Sequence, residues 1–240
     1  MNDGYNLLRD SLDELKIEYN GDQIEMFKTY YDLLIDRNSN INLTAITERD
    51  EVIIKHFVDS ILICKEIDFN KEVSIIDIGT GAGFPGIPIK ILNPKCRIVL
   101  LDSLKKRVRF LEEVIGVLGL KNIQCLHGRA EDVARETKYR GCFDYSVSRA
   151  VANLSTLSEY SIPFLKPGGK FISYKSDKAE DEINSSKKAI KILGSKIISV
   201  KDIELPHSDI IRKFVIIENI EPVDGKYPRK AGIPLKTPLS

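Results

Sequence analysis

The segment DIGTGAGFPGIP, residues 77–88, holds four glycines and two prolines and directly follows the apolar residues 73–76. Glycine adopts positive φ angles without steric cost and lets a ligand approach the backbone closely. A loop of this composition after an apolar strand is typical of nucleotide- and nucleoside-binding sites. The segment therefore predicts a ligand site, and three loop patterns compete for it.

Two of these patterns bind phosphate. The P-loop G-x-x-x-x-G-K-[ST] can be placed on Gly81 to Gly86, but Ile87 and Pro88 stand where the lysine and the hydroxyl residue are needed, so we exclude it. The dinucleotide turn G-x-G-x-x-G matches Gly81, Gly83 and Gly86 and places a pyrophosphate at a helix N-terminus. A single match of this kind is not specific, and this interpretation stays open.

The third pattern is the acidic-x-G-x-G-x-G loop of methyltransferases that use S-adenosylmethionine. Its carboxylate, Asp77, suits the ammonium and sulfonium groups of that cofactor and would repel a pyrophosphate. Asp102 closes the next strand, where it can accept bonds from ribose hydroxyls, and Glu131 after the third strand can bind the adenine amino group. These residues favour S-adenosylmethionine. The remaining cofactor-binding candidates around them are Gly79, Thr80, Gly81, Gly83 and Ser103.

Short apolar strands alternate with helical segments after residue 70, whereas residues 1–70 have only helical spacing. This alternation predicts an α/β fold, a Rossmann-like parallel sheet with helices on both faces and a helical N-terminal extension. The expected divisions are 1–70 for the extension, 71–220 for the methyltransferase domain and 221–240 for a basic tail. The predicted strands are VSIIDI, RIVLLD, IQCLH, FDYSVS and KFISYK, followed by two closing strands at 196–203 and 213–220.

Composition narrows the class of protein. The chain starts without a secretory signal and has no apolar run of membrane-spanning length, so we expect a cytoplasmic protein with no membrane partner. Its four cysteines form no C-x-x-C pair and its three histidines lie far apart, so we expect no metal. These patterns indicate an ordinary intracellular enzyme or binding protein.

Charge is distributed unevenly along the chain. Residues 1–70 hold 7 Lys and Arg against 15 Asp and Glu, while residues 71–240 hold 29 against 20. A basic second part indicates a polyanionic partner, although two solvated faces of opposite sign would give the same count. Ser103 is the expected N-cap of a helix whose apolar stripe runs from Leu104 to Leu118. The candidate RNA-binding residues are Lys105, Lys106, Arg107 and Arg109 on that helix and Tyr227, Arg229 and Lys230 in the tail.

The end of the fourth strand carries Ser148-Arg149-Ala150. Methyltransferases of exocyclic base amines use [DNS]-P-P-[YFW] there, and those of cytosine C5 need a nucleophilic cysteine, so neither class matches. An acceptor with a free lone pair, such as guanine N7, needs no base, and catalysis then depends on alignment and exclusion of water. Arg149 is a candidate for binding the cofactor or the base and for catalysis; pairing with a nearby carboxylate such as Asp144 is the structural alternative.

Seven ordered motifs closely resemble the bacterial small-subunit rRNA guanine-N7 methyltransferase family, also called glucose-inhibited division protein B. They are NLTAI (42–46), HFVDS (56–60), DIGTGAGFPGIP (77–88), DSLKKRVRFL (102–111), GRAE (128–131), SRAVA (148–152) and YPRKAGIPLKTPL (227–239). The resemblance implies methylation of guanine N7 in the 530 loop of 16S rRNA. The expected partner is 16S rRNA, as naked RNA or in the small ribosomal subunit, and a monomer is the favoured oligomeric state. The resemblance also implies cofactor binding by Gly79, Phe84, Ala130, Glu131 and Arg149.

Two other functions remain to be distinguished by experiment. A small-molecule methyltransferase would have the same loop but no need of the basic tail. A non-catalytic sensor of adenosine nucleotides would bind through the loop and transfer nothing.

Overall fold

The computed structural model describes residues 4–149 and 152–240, so Ala150 and Val151 of the SRAVA motif lie outside the described residues. Within them, seven strands form one sheet in the order β3-β2-β1-β4-β5-β7-β6. Strands β1 to β5 are parallel, and β7 runs antiparallel to both β5 and β6. The strands are β1 (Ser74–Ile78), β2 (Arg97–Asp102), β3 (Ile123–His127), β4 (Phe143–Ser148), β5 (Leu165–Ser176), β6 (Ser195–Glu204) and β7 (Ile211–Asn219).

Helices cover both faces of this sheet, as predicted. Neighbouring β1 residues point to opposite faces: Ile75 joins the cluster under the N-terminal helices, while Ile76 packs with Val133 on the other side. The helices are α1 (Asn6–Glu14), α2 (Gly21–Ile41), α3 (Arg49–Val52), α4 (Asp59–Ile61), α5 (Gly86–Leu92), α6 (Lys105–Val117), α7 (Ala130–Val133), α8 (Leu154–Ser161), α9 (Glu180–Ile192) and α10 (Ile233–Lys236). A π-helical turn, Ile53–Val58, joins α3 to α4, and 3₁₀ turns span Leu62–Lys65 and Ile162–Phe164.

The N-terminal helices share one apolar core with the sheet. Phe27 of α2 and Phe57 of the π-helical turn are fully buried in the same cluster as Leu100 of β2. Tyr30 of α2 donates a hydrogen bond to Ala82 O at 2.6 Å, which fixes the glycine loop from the extension side. The core is therefore continuous across residue 70, and the division into 1–70, 71–220 and 221–240 stays a prediction. None of the described helices has the length and apolarity required to span a membrane.

The start of α6 differs from the prediction. Ser103 is exposed and caps nothing; the helix begins at Lys105, and Leu104 N donates to Asp102 Oδ1 at 2.8 Å. Leu104 is 43% exposed, so it does not belong to the core stripe that buries Val108, Leu111 and Leu118. The N-cap is therefore Leu104, whose side chain makes no capping bond, and the prediction of Ser103 as the N-cap is wrong.

Candidate functional site

The glycine loop follows β1 at its carboxyl end. The strand order of the sheet reverses between β1 and β4, and this position is the usual ligand crevice of an open parallel sheet. Gly79 N and Thr80 N donate to Leu101 O at 2.9 and 3.1 Å, which ties the loop to the end of β2. Gly81 has φ +64°, and a Cβ added there would meet nothing closer than Gly79 O at 4.0 Å. The loop backbone therefore leaves an open cradle, as a close-fitting ligand requires.

A cavity of about 670 Å³, which we call the cofactor cavity because the predicted cofactor residues line it, opens over this cradle. Of the predicted cofactor residues, Gly79, Thr80, Gly81, Phe84, Asp102, Ser103 and Arg149 line it. Leu43, Thr44, His56, Ala82, Leu104 and Arg107 complete the lining. Its volume and its mixture of apolar and charged walls suit a nucleoside with a charged side arm.

The other two loop glycines serve packing. A Cβ on Gly83 would lie 2.6 Å from Ile87 and 2.8 Å from the Tyr30 hydroxyl, and one on Gly86 would lie 2.9 Å from Asp77 Oδ2. Neither glycine lines the cavity. Gly83 was predicted to bind the cofactor, but the structure requires glycine there because the neighbouring side chains leave no room for a Cβ.

Asp77 is fully buried at the end of β1. Its Oδ2 accepts hydrogen bonds from the Thr80 hydroxyl at 2.7 Å and from Gly86 N at 2.9 Å, so the carboxylate holds the loop closed. Its Oδ1 has no hydrogen-bond partner among the described residues. Burial raises the pKa of Asp77 to about 7. An unpaired buried carboxylate oxygen behind the cradle fits a cationic cofactor, since a nearby positive charge would stabilise its ionised form.

Asp102, at the end of β2, is 3% exposed, and a hydrogen bond from the glycine loop fixes its side chain. Its Oδ2 accepts from Gly81 N at 2.9 Å and lies 3.5 Å from Arg107 Nη1. A carboxylate oxygen has two lone pairs, and Oδ1 accepts only from Leu104 N, so Oδ1 keeps acceptor capacity for a ribose hydroxyl. Arg107 was predicted to bind RNA, but its guanidinium turns back to Asp102 and lines the cavity.

A second cavity of about 290 Å³ shares Gly79, Asp102 and Ser103 with the first. Ala130 and Glu131, both predicted, line it together with Tyr160, Gly232 and Leu235, which were not. Glu131 is 5% exposed, and its Oε1 accepts from Gly232 N at 2.8 Å. Gly232 and Leu235 belong to the motif YPRKAGIPLKTPL, but nothing in the local sequence placed this motif beside Glu131, which lies 101 residues before Gly232.

Arg149 joins the cofactor cavity to the N-terminal extension. Its Nη1 donates to Asp59 Oδ2 at 2.9 Å and to Lys55 O at 3.0 Å, and its guanidinium carbon lies 5.0 Å from the centre of the Phe84 ring. The partner proposed for Arg149, Asp144, is wrong: that carboxylate bonds Ser74 and pairs with Lys166.

His56 forms a cluster with Phe84, Asp59 and Arg149. Its ring stacks on Phe84 at 4.7 Å, its Nδ1 lies 3.1 Å from Arg149 Nη2, and its Nε2 lies 2.7 Å from the Thr44 hydroxyl. Burial, and then the charge of Arg149, lower the pKa of His56 to about 4. A neutral ring can accept from Arg149 through Nδ1 and donate to Thr44 through Nε2. The motifs NLTAI, HFVDS and SRAVA thus meet at one point.

A third cavity, of about 510 Å³, adjoins this cluster and shares His56 and Arg149 with the cofactor cavity. Asp59, at its base, is 1% exposed and also pairs with Arg212 of β7, whose Nε donates to Asp59 Oδ1 at 2.7 Å. Glu182 and the cations Lys55 and Lys175 line the same space. The cavity therefore has more positive than negative groups in its wall.

The other predicted RNA-binding residues divide into exposed and engaged ones. Lys105, Lys106, Arg109 and Lys230 are exposed. Tyr227 is 9% exposed, and Arg229 is bonded to the fully buried Glu159 through three of its nitrogens. The charge of Arg229 is thus neutralised inside the protein rather than offered at its surface.

Sheet order, the antiparallel β7 and a glycine loop at the end of β1 define a class I, Rossmann-like methyltransferase fold. The chain is similar to Pyrococcus horikoshii TYW2 in complex with MeSAdo, with a TM-score of 0.53, 12% identity and coverage of 68% of this chain and 62% of that one. It is also similar to M. jannaschii TYW2 in complex with AdoMet, with a TM-score of 0.51, 16% identity and coverage of 62% of this chain and 70% of that one. These likenesses concern the fold.

Sequence comparison identifies the family. The model of rRNA small subunit methyltransferase G matches residues 23–211. A relative of that name from Clostridium botulinum is 49% identical over 235 residues, 98% of either chain, and one from Thermoanaerobacter is 51% identical over 216 residues, 90% of either chain. The chain belongs to the rRNA small subunit methyltransferase G family. The predicted family, fold class, methyltransferase class and cofactor, S-adenosylmethionine, are confirmed.

Proposed function

We propose that this protein methylates N7 of a guanine in the 530 loop of 16S rRNA by direct in-line transfer without a general base. The observation that carries the proposal is the cluster of His56, Asp59 and Arg149, which lies between the cofactor cavity and the third cavity. Arg149 bonds both His56 and Asp59 there, so the atoms with which these two groups would take a proton from an acceptor are already engaged. Guanine N7 presents a lone pair and needs no such group.

Bound S-adenosylmethionine supplies a methyl group activated by its sulfonium. The residues that would hold it are those of the two adjoining cavities: the Gly79–Gly81 backbone, Phe84, Asp102, Ala130, Glu131 and Arg149. Phe84, His56 and the loop exclude water from the reacting end, since Phe84 is only 6% exposed. Catalysis by this chain then consists of holding donor and acceptor in line.

The third cavity is the proposed position of the acceptor nucleotide. It adjoins the cofactor cavity through His56 and Arg149, so an acceptor there faces the methyl donor across these two side chains. Arg212 pairs with Asp59 and Lys175 pairs with Glu182, but the wall still carries four cationic side chains against two carboxylates. This net positive charge attracts the phosphates of a nucleotide. Alignment at this junction, and not proton transfer, is what the side chains provide.

Methyl transfer to purified 16S rRNA and to small subunits tests the function. We expect label from the methyl donor in at least one of these forms, mapped to one guanine by cleavage specific for N7-methylguanine. A small-molecule methyltransferase would label neither, and a sensor would bind cofactor without any transfer. Label at another base atom would contradict the N7 assignment while leaving the rRNA methyltransferase intact.

The exposed cations of α6 give the first prediction. Replacing Lys105, Lys106 and Arg109 together by Glu should weaken RNA binding and reduce its salt dependence by about three phosphate contacts. Cofactor affinity should not change, because none of these residues lines a cofactor cavity. The matched control reverses the exposed Lys95, Arg97 and Lys121, which lie at or before the amino ends of β2 and β3. Equal losses of RNA affinity in both variants would mean that binding responds to the net charge of the protein and not to these three residues of α6.

Asp77 gives a pH prediction. The free protein favours the protonated carboxyl below about pH 7, whereas a bound cation favours the ionised form, so affinity falls as the pH falls. We expect S-adenosylmethionine to bind about tenfold more weakly at about pH 5.5 than at about pH 7.5, as measured by calorimetry. S-adenosylhomocysteine, which lacks the sulfonium, should show a smaller dependence, and Asp77→Asn should remove it. An unchanged profile in Asp77→Asn would assign the dependence to another group.

A further inference from the structure

The C-terminal segment forms the outer wall of the second cavity. Gly232 and Leu235 line it opposite Ala130 and Glu131, and Tyr160 of α8 lies beside them. Leu235 is 60% exposed and lines the cavity, so much of its apolar surface is open to a ligand there. A flat apolar ligand in this cavity would cover it.

This segment is held in place by a buried ion pair. Arg229 Nη2 donates to Glu159 Oε2 at 2.7 Å, and Arg229 N donates to Glu159 Oε1 at the same distance. Glu159 is fully buried in α8, so its charge depends on Arg229 for compensation. Two elements of the cavity, α8 and the segment, are therefore fixed to each other next to the ligand space.

Further hydrogen bonds attach the segment on both sides of this pair. Arg140 donates to Tyr227 O at 2.8 Å, and the Thr156 hydroxyl donates to Pro234 O at 2.9 Å. Gly232 N then reaches Glu131 Oε1 at 2.8 Å, from a backbone with φ +83°. The segment thus determines where the Glu131 carboxylate points.

We infer that residues 227–236 are part of the cofactor site: Gly232 orients Glu131 toward the adenine amino group, and Leu235 covers the purine ring. Arg229 is the positioning residue of this wall, held by Glu159. An adenine nucleoside is the matching ligand, since one face of the cavity is apolar and a buried carboxylate lies at its edge.

Calorimetry with 5′-methylthioadenosine and S-adenosylhomocysteine tests the inference on the full chain. The first probe lacks the amino-acid arm, so a loss common to both locates the effect at the nucleoside end. We expect Arg229→Ala and Leu235→Ala to weaken both probes by about tenfold. The control Val117→Ala removes an apolar side chain of α6 that is 57% exposed, and Lys188→Ala removes an exposed cation of α9. Neither residue lines a cofactor cavity, so neither change should alter the affinity.

Leu235→Ala keeps the test decisive if Arg229→Ala unfolds, because Leu235 lies at the surface and its loss leaves Arg229 and Glu159 paired. Thermal melting of each variant separates unfolding from loss of the wall. Wild-type affinity of Leu235→Ala for both probes would overturn the inference. So would an Arg229→Ala protein that is folded and binds both probes normally while losing only RNA affinity.

Discussion

Replacing Gly81 by valine is expected to abolish S-adenosylmethionine binding while the protein stays folded. The residue has φ +64°, where a side chain costs roughly 1–2 kcal/mol of backbone strain. Its Cβ meets no packed neighbour, because it projects into the open cavity. The valine side chain therefore occupies space that the ligand needs. We expect the affinity to fall by more than about a hundredfold, which corresponds to about 3 kcal/mol.

Gly119→Val is the matched control. Gly119 has φ +61° and, like Gly81, no atom within 4 Å of an added Cβ that would be displaced, but it follows α6 and lines neither cofactor cavity. Both variants should lose similar thermal stability, and only Gly81→Val should lose cofactor binding in calorimetry. Normal affinity in Gly81→Val would remove the loop from the site.

The sequence predicted this loop well but not the division of labour within it. The parallel sheet with helices on both faces follows from β-α alternation, because parallel strands need crossover connections, and these are usually helices. The glycine spacing located the cradle. It did not distinguish Gly81, which faces the open cavity, from Gly83 and Gly86, where neighbouring side chains leave no room for a Cβ. Both situations require the same residue type.

Long-range pairing was the part that could not be predicted. Arg229 was assigned to RNA from its charge and its basic neighbours, and nothing in the local sequence indicated Glu159, its partner 70 residues away. Asp59 likewise carried no local sign of its role, which is to hold Arg149 and Arg212 with one carboxylate. Such groups are defined by neighbours that only folding brings together.

Arg149→Lys is expected to lower the rate of rRNA methylation by about a hundredfold, the effect of about 1 Å of misalignment at a reacting centre. The guanidinium bonds Asp59, Lys55 O and His56 at once and covers Phe84 with its flat face. A lysine keeps the charge but has a single nitrogen, so it cannot hold these contacts together. The fold should survive, because Arg212 still compensates Asp59.

Arg212→Lys is the control that separates position from charge. It alters the same carboxylate pair but lines only the proposed acceptor cavity, so its cofactor affinity should equal that of the wild type. Arg149→Ala adds a spectroscopic readout: the pKa of His56 should rise from about 4, because the charge of Arg149 contributes to lowering it. An Arg149→Lys enzyme with normal turnover and a normal KM for RNA would show that the cluster stabilises the fold and leaves alignment to the loop and the acceptor.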